Sequence, residues 1–253
     1  MASARQHGQE KGAGAPHAPL LDYYEAPEAR RGFVRDLFNR TAGSYDRINT
    51  VLSFGSGAWY RRRALAQAGL RPGMRMLDVA IGTGLLAREA VRILGRPDDV
   101  IGLDLSEGML AEARRALPIP LVQAQAETLP LADASLDFVS MSYALRHVTS
   151  LGVLFAEFRR VLRPGGRVLV LELARPEGRV AYGVARAWLG GVVPALSALT
   201  GPGSRTLMRY YWDTIDACVP PSEILRHLGE AGLQDVACAT ELGVFRAYTA
   251  RRG

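Results

Sequence analysis

From about residue 74 onward, apolar positions fall into short runs that alternate with longer stretches of helical period. β-rich runs at 74–80, 100–104, 119–124, 136–143 and 166–173 are separated by stretches at 84–95, 107–117 and 150–162, where apolar residues return every three or four positions. Strand alternating with helix implies a parallel sheet with helices on both faces and right-handed crossovers. Ahead of this block, 28–70 reads as helical. Phe33, Leu37, Phe38, Tyr45, Ile48 and Leu52 recur at three- and four-residue steps, with Gly and Ser breaks near 53–57. Behind it, 178–230 is helical and partly apolar, and 233–250 reads as two strands turning near Gly243.

This pattern divides the chain into an expected disordered tail, 1–27, and a single domain, 28–253. Within the domain, 28–70 is a helical lid, 71–176 the α/β core, 177–231 a helical insertion and 232–253 the terminal strands. The tail is expected because residues 1–19 are rich in Gly, Ala and Pro and lack the apolar segment of a signal peptide.

Composition narrows the function. Only Cys218 and Cys238 occur in 253 residues, so a disulfide framework is excluded and a reducing, cytoplasmic setting is expected. No Cys/His cluster has zinc spacing, and no metal is expected. The net charge of +6 comes from Arg residues that are scattered, apart from the run Arg61–Arg63. That distribution argues against a nucleic-acid partner, which would call for a basic stripe interleaved with aromatics. It leaves room for contact with an anionic membrane surface. The most apolar stretch, 187–200, is too short to span a bilayer and is broken by Gly and Pro.

The chemistry begins at "MLDVAIGTGLLAREA", residues 76–90. A short strand ends in Asp78, a turn follows with Gly82, Thr83 and Gly84, and a helix begins. Glycines at such a turn let the backbone approach a ligand, and the helix N-terminus offers free N–H groups. Asp104 ends the next strand, 20 residues after Gly84, where a carboxylate can accept hydrogen bonds from ribose hydroxyls. This much suits a nicotinamide dinucleotide as well as S-adenosylmethionine, because G-x-G-x-x-A alone is a weak signal. Asp78 tips the choice: it would repel a pyrophosphate in the turn, but it suits a ligand carrying an ammonium and a sulfonium. Ser106 after Asp104 also reads as a helix N-cap.

Beyond these motifs the sequence resembles the class I S-adenosylmethionine-dependent methyltransferases, and among them the ubiquinone/menaquinone biosynthesis C-methyltransferases. "VRDLFNRTAGSYDRINTVLSFG" (34–55), "LDVAIGTGLLA", "YALRHVTS" (143–150) and "RVLRPGGRVLVLELARP" carry the likeness, which spans about 30–176 and more loosely 205–250. The resemblance implies a Rossmann-like, mostly parallel seven-stranded sheet with a terminal antiparallel hairpin and an added helical lid. It implies S-adenosyl-L-methionine as cofactor, with Thr83 in the glycine turn, Asp104 at the ribose, Gln125 and Ala126 beside adenine, and Ser142 at the end of strand four. It implies a hydrophobic, quinol-like acceptor whose ring carbon becomes nucleophilic once a neighbouring hydroxyl loses its proton. Arg146 would then hold the phenolate or polarise a water, and His147, titrating near neutrality, would take the proton. Tyr45 in the lid would bond the acceptor or cover the methionine end, with Asp46 and Asn49 locking the lid. The apolar segment 180–200 would receive a prenyl tail or form a buried helix pair. A homodimer and peripheral membrane contact are further expectations. The sequence departs from the family pattern at Ile81, Gly57, Tyr60, His147, Asp216 and Tyr248, which the resemblance places largely on the acceptor side. Another small molecule, such as a secondary metabolite, is therefore the alternative acceptor.

Overall fold

The computed structural model describes residues 14–52, 57–198 and 203–253, without the side chains of 48–52. Seven strands form one sheet in the order β3-β2-β1-β4-β5-β7-β6. Strands β1 (Met76–Val79), β2 (Val100–Asp104), β3 (Leu121–Gln123), β4 (Leu136–Ser142) and β5 (Leu162–Leu173) run parallel. The last pair, β6 (Leu233–Glu241) and β7 (Phe245–Arg252), is the expected antiparallel hairpin, and β7 lies antiparallel along β5.

Period-two alternation sorts side chains to the two faces. Leu77 and Val79 enter one core with Val139, Phe155 and Phe158, whereas Met76 enters the other with Leu65, Leu86 and Phe138. Helices α2 (Gly57–Gln67), α3 (Leu85–Leu94) and α4 (Glu107–Ala116) supply apolar residues to the Met76 face, and α5 (Leu151–Val161) and α9 (Pro221–Glu230) to the other. Strand order reverses beside β1, and α/β folds bind ligands at that switch point, beyond the carboxyl ends of the strands.

The lid helix α1 (Arg30–Leu52) packs with α8 (Ser204–Ala217) through a third apolar cluster that includes Leu37, Leu207, Met208 and Tyr210. In the insertion, α6 (Arg179–Ala187) continues through a π-helical turn, Trp188–Val192, into α7 (Val193–Ser197). No described helix is long and apolar enough to cross a membrane.

The expected tail is corrected for residues 14–27. The Gly14 carbonyl accepts from Leu151 N–H, the Pro16 carbonyl accepts from Val219 N–H, and Tyr24 and His17 are buried. A few anchors hold the segment despite its low apolar density. Residues 1–13 lie outside the described residues.

Candidate active site

The glycine turn forms because three residues adopt left-handed backbone between β1 and α3: Ala80 (φ +54°), Gly82 (φ +57°) and Gly84 (φ +87°). Gly84 serves as N-cap of α3, and a Cβ there would lie 2.9 Å from the Leu117 side chain. A Cβ on Gly82 would meet nothing within 4 Å, so the turn faces open space. Asp104 fixes its shape. One carboxylate oxygen accepts from Gly82 N–H at 2.8 Å and the other from Ser106 N–H at 2.8 Å. Each oxygen keeps a lone pair for a ligand hydroxyl. Burial pushes Asp104 above the usual carboxylate range, and the N–H bonds from Ser106 and Gly82 pull the other way.

A largely apolar cleft opens above the turn. Gly82, Asp104, Gln125, Ala126, Ser142, His147 and Tyr45 all line it, with Leu105 and Met109 on one wall and Phe38 on the lid. Seven of the eleven sequence-nominated site residues are therefore brought to one cavity. Its polar groups are few and sit at the strand ends, as a nucleoside with an amino-acid arm requires. The residues fit S-adenosylmethionine: Asp104 would hold the ribose, Gln125 and Ala126 the base edge, and Gly82 and Ser142 the methionine end.

The other four lie elsewhere. Thr83 is buried and its hydroxyl donates to Asp46, which ties the glycine turn to the lid helix. Asp46 thus anchors the lid across 37 residues rather than locally; the side chain of Asn49 lies outside the described residues. Gly84 shapes the turn from behind. Asp78 sits beneath it, buried, and accepts from Ser140 Oγ at 2.7 Å because register places Ser140 opposite it on β4. Its other oxygen has no partner among the described residues. Burial pushes its pKa up to about 7, and the Ser140 hydrogen bond pulls the other way.

Arg146 is fully buried and committed to the scaffold, not open to an acceptor. Its Nε donates to Glu172 Oε1 at 2.9 Å, and its other nitrogens donate to Thr214 Oγ1 (2.9 Å), Tyr211 O (3.1 Å) and Tyr143 O (3.2 Å). Its own carbonyl accepts from Arg30, whose guanidinium also meets the His17 ring at 2.7 Å. His147 departs from the titration near neutrality expected of it. It does line the cleft, but burial and then the neighbouring charges of Arg146 and Arg30 hold its pKa well below the usual imidazole range. Its ring stacks on that of Tyr210, with the centroids 5.5 Å apart. Neither ring nitrogen has a partner among the described residues.

Sequence reasoning missed Asn39. Its side-chain oxygen accepts from Ser106 Oγ (2.7 Å) and Gly108 N–H (3.0 Å), so the lid caps α4 from outside. It also missed Tyr143, held at φ +58° with its N–H on Leu171 O. Tyr143 lines the cofactor cleft and also a second, apolar groove walled by Tyr60, Leu173, Val184, Trp188, Tyr211 and Phe245. A non-glycine residue in left-handed backbone is strained, which is common where a functional site fixes the geometry.

Of the departures from the family pattern, Gly57 and Tyr60 line that groove. Ile81 is buried and fills the space that a Cβ on Gly102 would occupy. Tyr248 is buried in the sheet core, and Asp216 lies 3.5 Å from Arg175.

Comparison with known proteins agrees with this geometry. The ubiE/COQ5 methyltransferase family model matches residues 25–248. A ubiquinone/menaquinone biosynthesis C-methyltransferase UbiE of Syntrophotalea carbinolica is 36% identical over 80% of this chain and 86% of that protein. That of Pseudomonas putida is 33% identical over 90% and 92%. Among solved structures, a methyltransferase from Thermotoga maritima superposes with a TM-score of 0.63 at 20% identity, covering 87% of this chain and 99% of that one; it shows the fold. The chain belongs to the ubiE/COQ5 methyltransferase family and uses S-adenosylmethionine as its methyl donor.

Proposed function

We propose that this enzyme C-methylates the ring of a quinol-type acceptor, as in ubiquinone/menaquinone biosynthesis, in the cytoplasm and at the membrane surface. The observation that carries this reading is the junction of two cavities at Tyr143. One has the polar groups of a nucleoside site, and the other is an apolar groove whose aromatic and aliphatic lining suits a prenyl-like tail.

When bound, the cofactor supplies a methyl group on a cationic sulfur that departs as a neutral thioether. The chain's residues have to align the acceptor carbon with that methyl and favour the deprotonated acceptor. Asp104 and the glycine turn fix the donor end. Tyr45 and Phe38 close the lid over it and exclude water. Tyr143 stands between the cavities, where an aromatic ring can lie against the quinol. After the carbon–carbon bond forms, the ring proton at the methylated carbon passes to water and the ring regains aromaticity. His147 lines the cleft with both ring nitrogens unpartnered among the described residues, so an acceptor hydroxyl can hydrogen-bond to it.

Membrane contact is supported by an exposed apolar stripe. Val180, Val184, Trp188, Val192 and Leu196 recur every four residues, and Leu242 (89% exposed) adds to it across the mouth of the groove. Arg179 and Arg186 on the same helix suit anionic lipid headgroups.

Incubation with deuteriomethyl cofactor and a panel of demethylated benzoquinols and naphthoquinols, followed by mass analysis, tests the proposal. A labelled methyl on a ring carbon is expected. Label confined to oxygen, or found only on an unrelated small molecule, overturns it in favour of the alternative acceptor. Vesicle flotation with anionic lipids is expected to carry the chain upward, and Trp188→Ser to abolish this.

A further inference from the structure

The run Arg61–Arg63 divides in the fold. Arg62 pairs with buried Glu89 at 2.7 Å, and Arg63 reaches Glu241 at 3.8 Å and lies over the Trp59 ring at 5.2 Å. Arg61 instead turns inward. It is 7% exposed, lines the apolar groove, and has no hydrogen-bond partner at Nε among the described residues. Its guanidinium lies 5.7 Å from the centroid of the Tyr143 ring, at the end of the groove nearest the cofactor cleft. A buried donor without a partner is costly and calls for an explanation, and a ligand that completes it is one.

We propose that Arg61 is the acceptor-binding cation, pairing with the ionised ring oxygen of the substrate while the apolar tail runs outward past Val184 and Trp188. Arg146 is less available for this role, because it is fully buried and four of its five N–H donors already serve Glu172, Thr214 and the Tyr211 and Tyr143 carbonyls. Arg61 is also well placed for the chemistry. By favouring the phenolate over the neutral phenol it makes the adjacent ring carbon nucleophilic; that carbon bonds the methyl while the carbon–sulfur electrons stay on sulfur, and the ring proton then leaves to water. Arg61 lies over the Tyr143 ring after β4, and its charge also acts on Tyr211 of α8 and Asp78 of β1.

This assignment rests on the acceptor reading above, and two experiments separate them. The first follows wild type, Arg61→Gln and Arg61→Lys with deuteriomethyl cofactor and a short-chain demethylmenaquinol. Arg61→Gln is expected to lower kcat/KM for the acceptor by about 100-fold, as for the loss of a charge-assisted hydrogen-bonded pair. Its rate should recover as pH rises towards the acceptor's own ionisation, and Arg61→Lys should restore most of it. Affinity for S-adenosylhomocysteine should stay within about twofold of wild type. An acceptor kcat/KM in Arg61→Gln within threefold of wild type overturns the proposal.

The second titrates a coloured alkyl-hydroxynaphthoquinone, whose absorption distinguishes anion from neutral form. Wild type should bind it as the anion at pH values where it is neutral in solution, and Arg61→Gln should not. Should Arg61→Gln fail to fold, the wild-type titration decides alone: binding of the neutral form overturns the assignment. A chain that binds the dye anion through Arg61 but methylates no quinol sinks the acceptor reading and leaves Arg61 in place. Quinol methylation indifferent to Arg61→Gln does the reverse.

Discussion

Replacing Arg146 with Met separates a scaffold role from a chemical one. The guanidinium makes four hydrogen bonds, one of them to Glu172 Oε1, and both members of the pair are buried. Removing one partner of a buried ion pair leaves an uncompensated charge and typically costs about 3–5 kcal/mol. Two carbonyls and the Thr214 hydroxyl also lose their donor. For a chain of this size each kcal/mol moves Tm by about 2–4 °C, so Arg146→Met is expected to melt roughly 10 °C or more below wild type. Urea denaturation followed by circular dichroism measures the loss directly. The double variant Arg146→Met/Glu172→Leu should regain part of it, since an apolar pair of similar volume spares the stranded carboxylate. Cofactor affinity and turnover should fall together, because Tyr143 is held by the same guanidinium. An Arg146→Met protein as stable as wild type, with turnover alone destroyed, would refute the argument and return Arg146 to the chemistry.

Three further outcomes are expected. Asp78, with its pKa raised by burial to about 7, contributes stability that is complete below its unfolded value of 3.8 and is lost as pH rises through 7; the full effect is roughly 4 kcal/mol. Asp78→Asn should therefore flatten the cofactor-free stability profile between pH 4 and 7, and calorimetric unfolding across that range checks it. Gly84→Ala should cost about 1–2 kcal/mol for left-handed backbone, more if Leu117 cannot move aside, and should weaken S-adenosylhomocysteine binding in titration calorimetry. Because burial and neighbouring cations hold the His147 pKa well below the usual imidazole range, the wild-type pH–rate profile should show no limb near pH 6.5 that His147→Gln removes; such a limb, lost in that variant, would show that His147 titrates near neutrality.

Much of the core was legible because local rules and tertiary packing agree there. Strand runs, the glycine turn, Asp104 and the hairpin at Gly243 follow from period-two patterning, left-handed glycines and a carboxylate one strand away. The failures are tertiary. Nothing in the sequence near Arg146 marks Glu172, 26 positions on, as its partner, so the buried ion pair that holds this arginine is not legible there. His147 looked titratable because exposure and neighbouring cations are invisible in one dimension. The segment 14–27 has too few apolar residues to announce itself, yet Tyr24 and His17 pack into the lid. Of the Arg61–Arg63 run, the sequence showed only charge; the direction in which Arg61 points belongs to the fold.

The account depends above all on the Asp104 carboxylate and the glycine turn holding the methyl donor. Titration calorimetry of wild type and Asp104→Asn with S-adenosylhomocysteine measures that directly, with circular dichroism confirming that both are folded. Hydrogen bonds to a charged group contribute about 1.5–3 kcal/mol each, so two ribose bonds weakened together should lower affinity by roughly 100-fold. Wild type that does not bind, or Asp104→Asn that binds as tightly as wild type, would contradict the site.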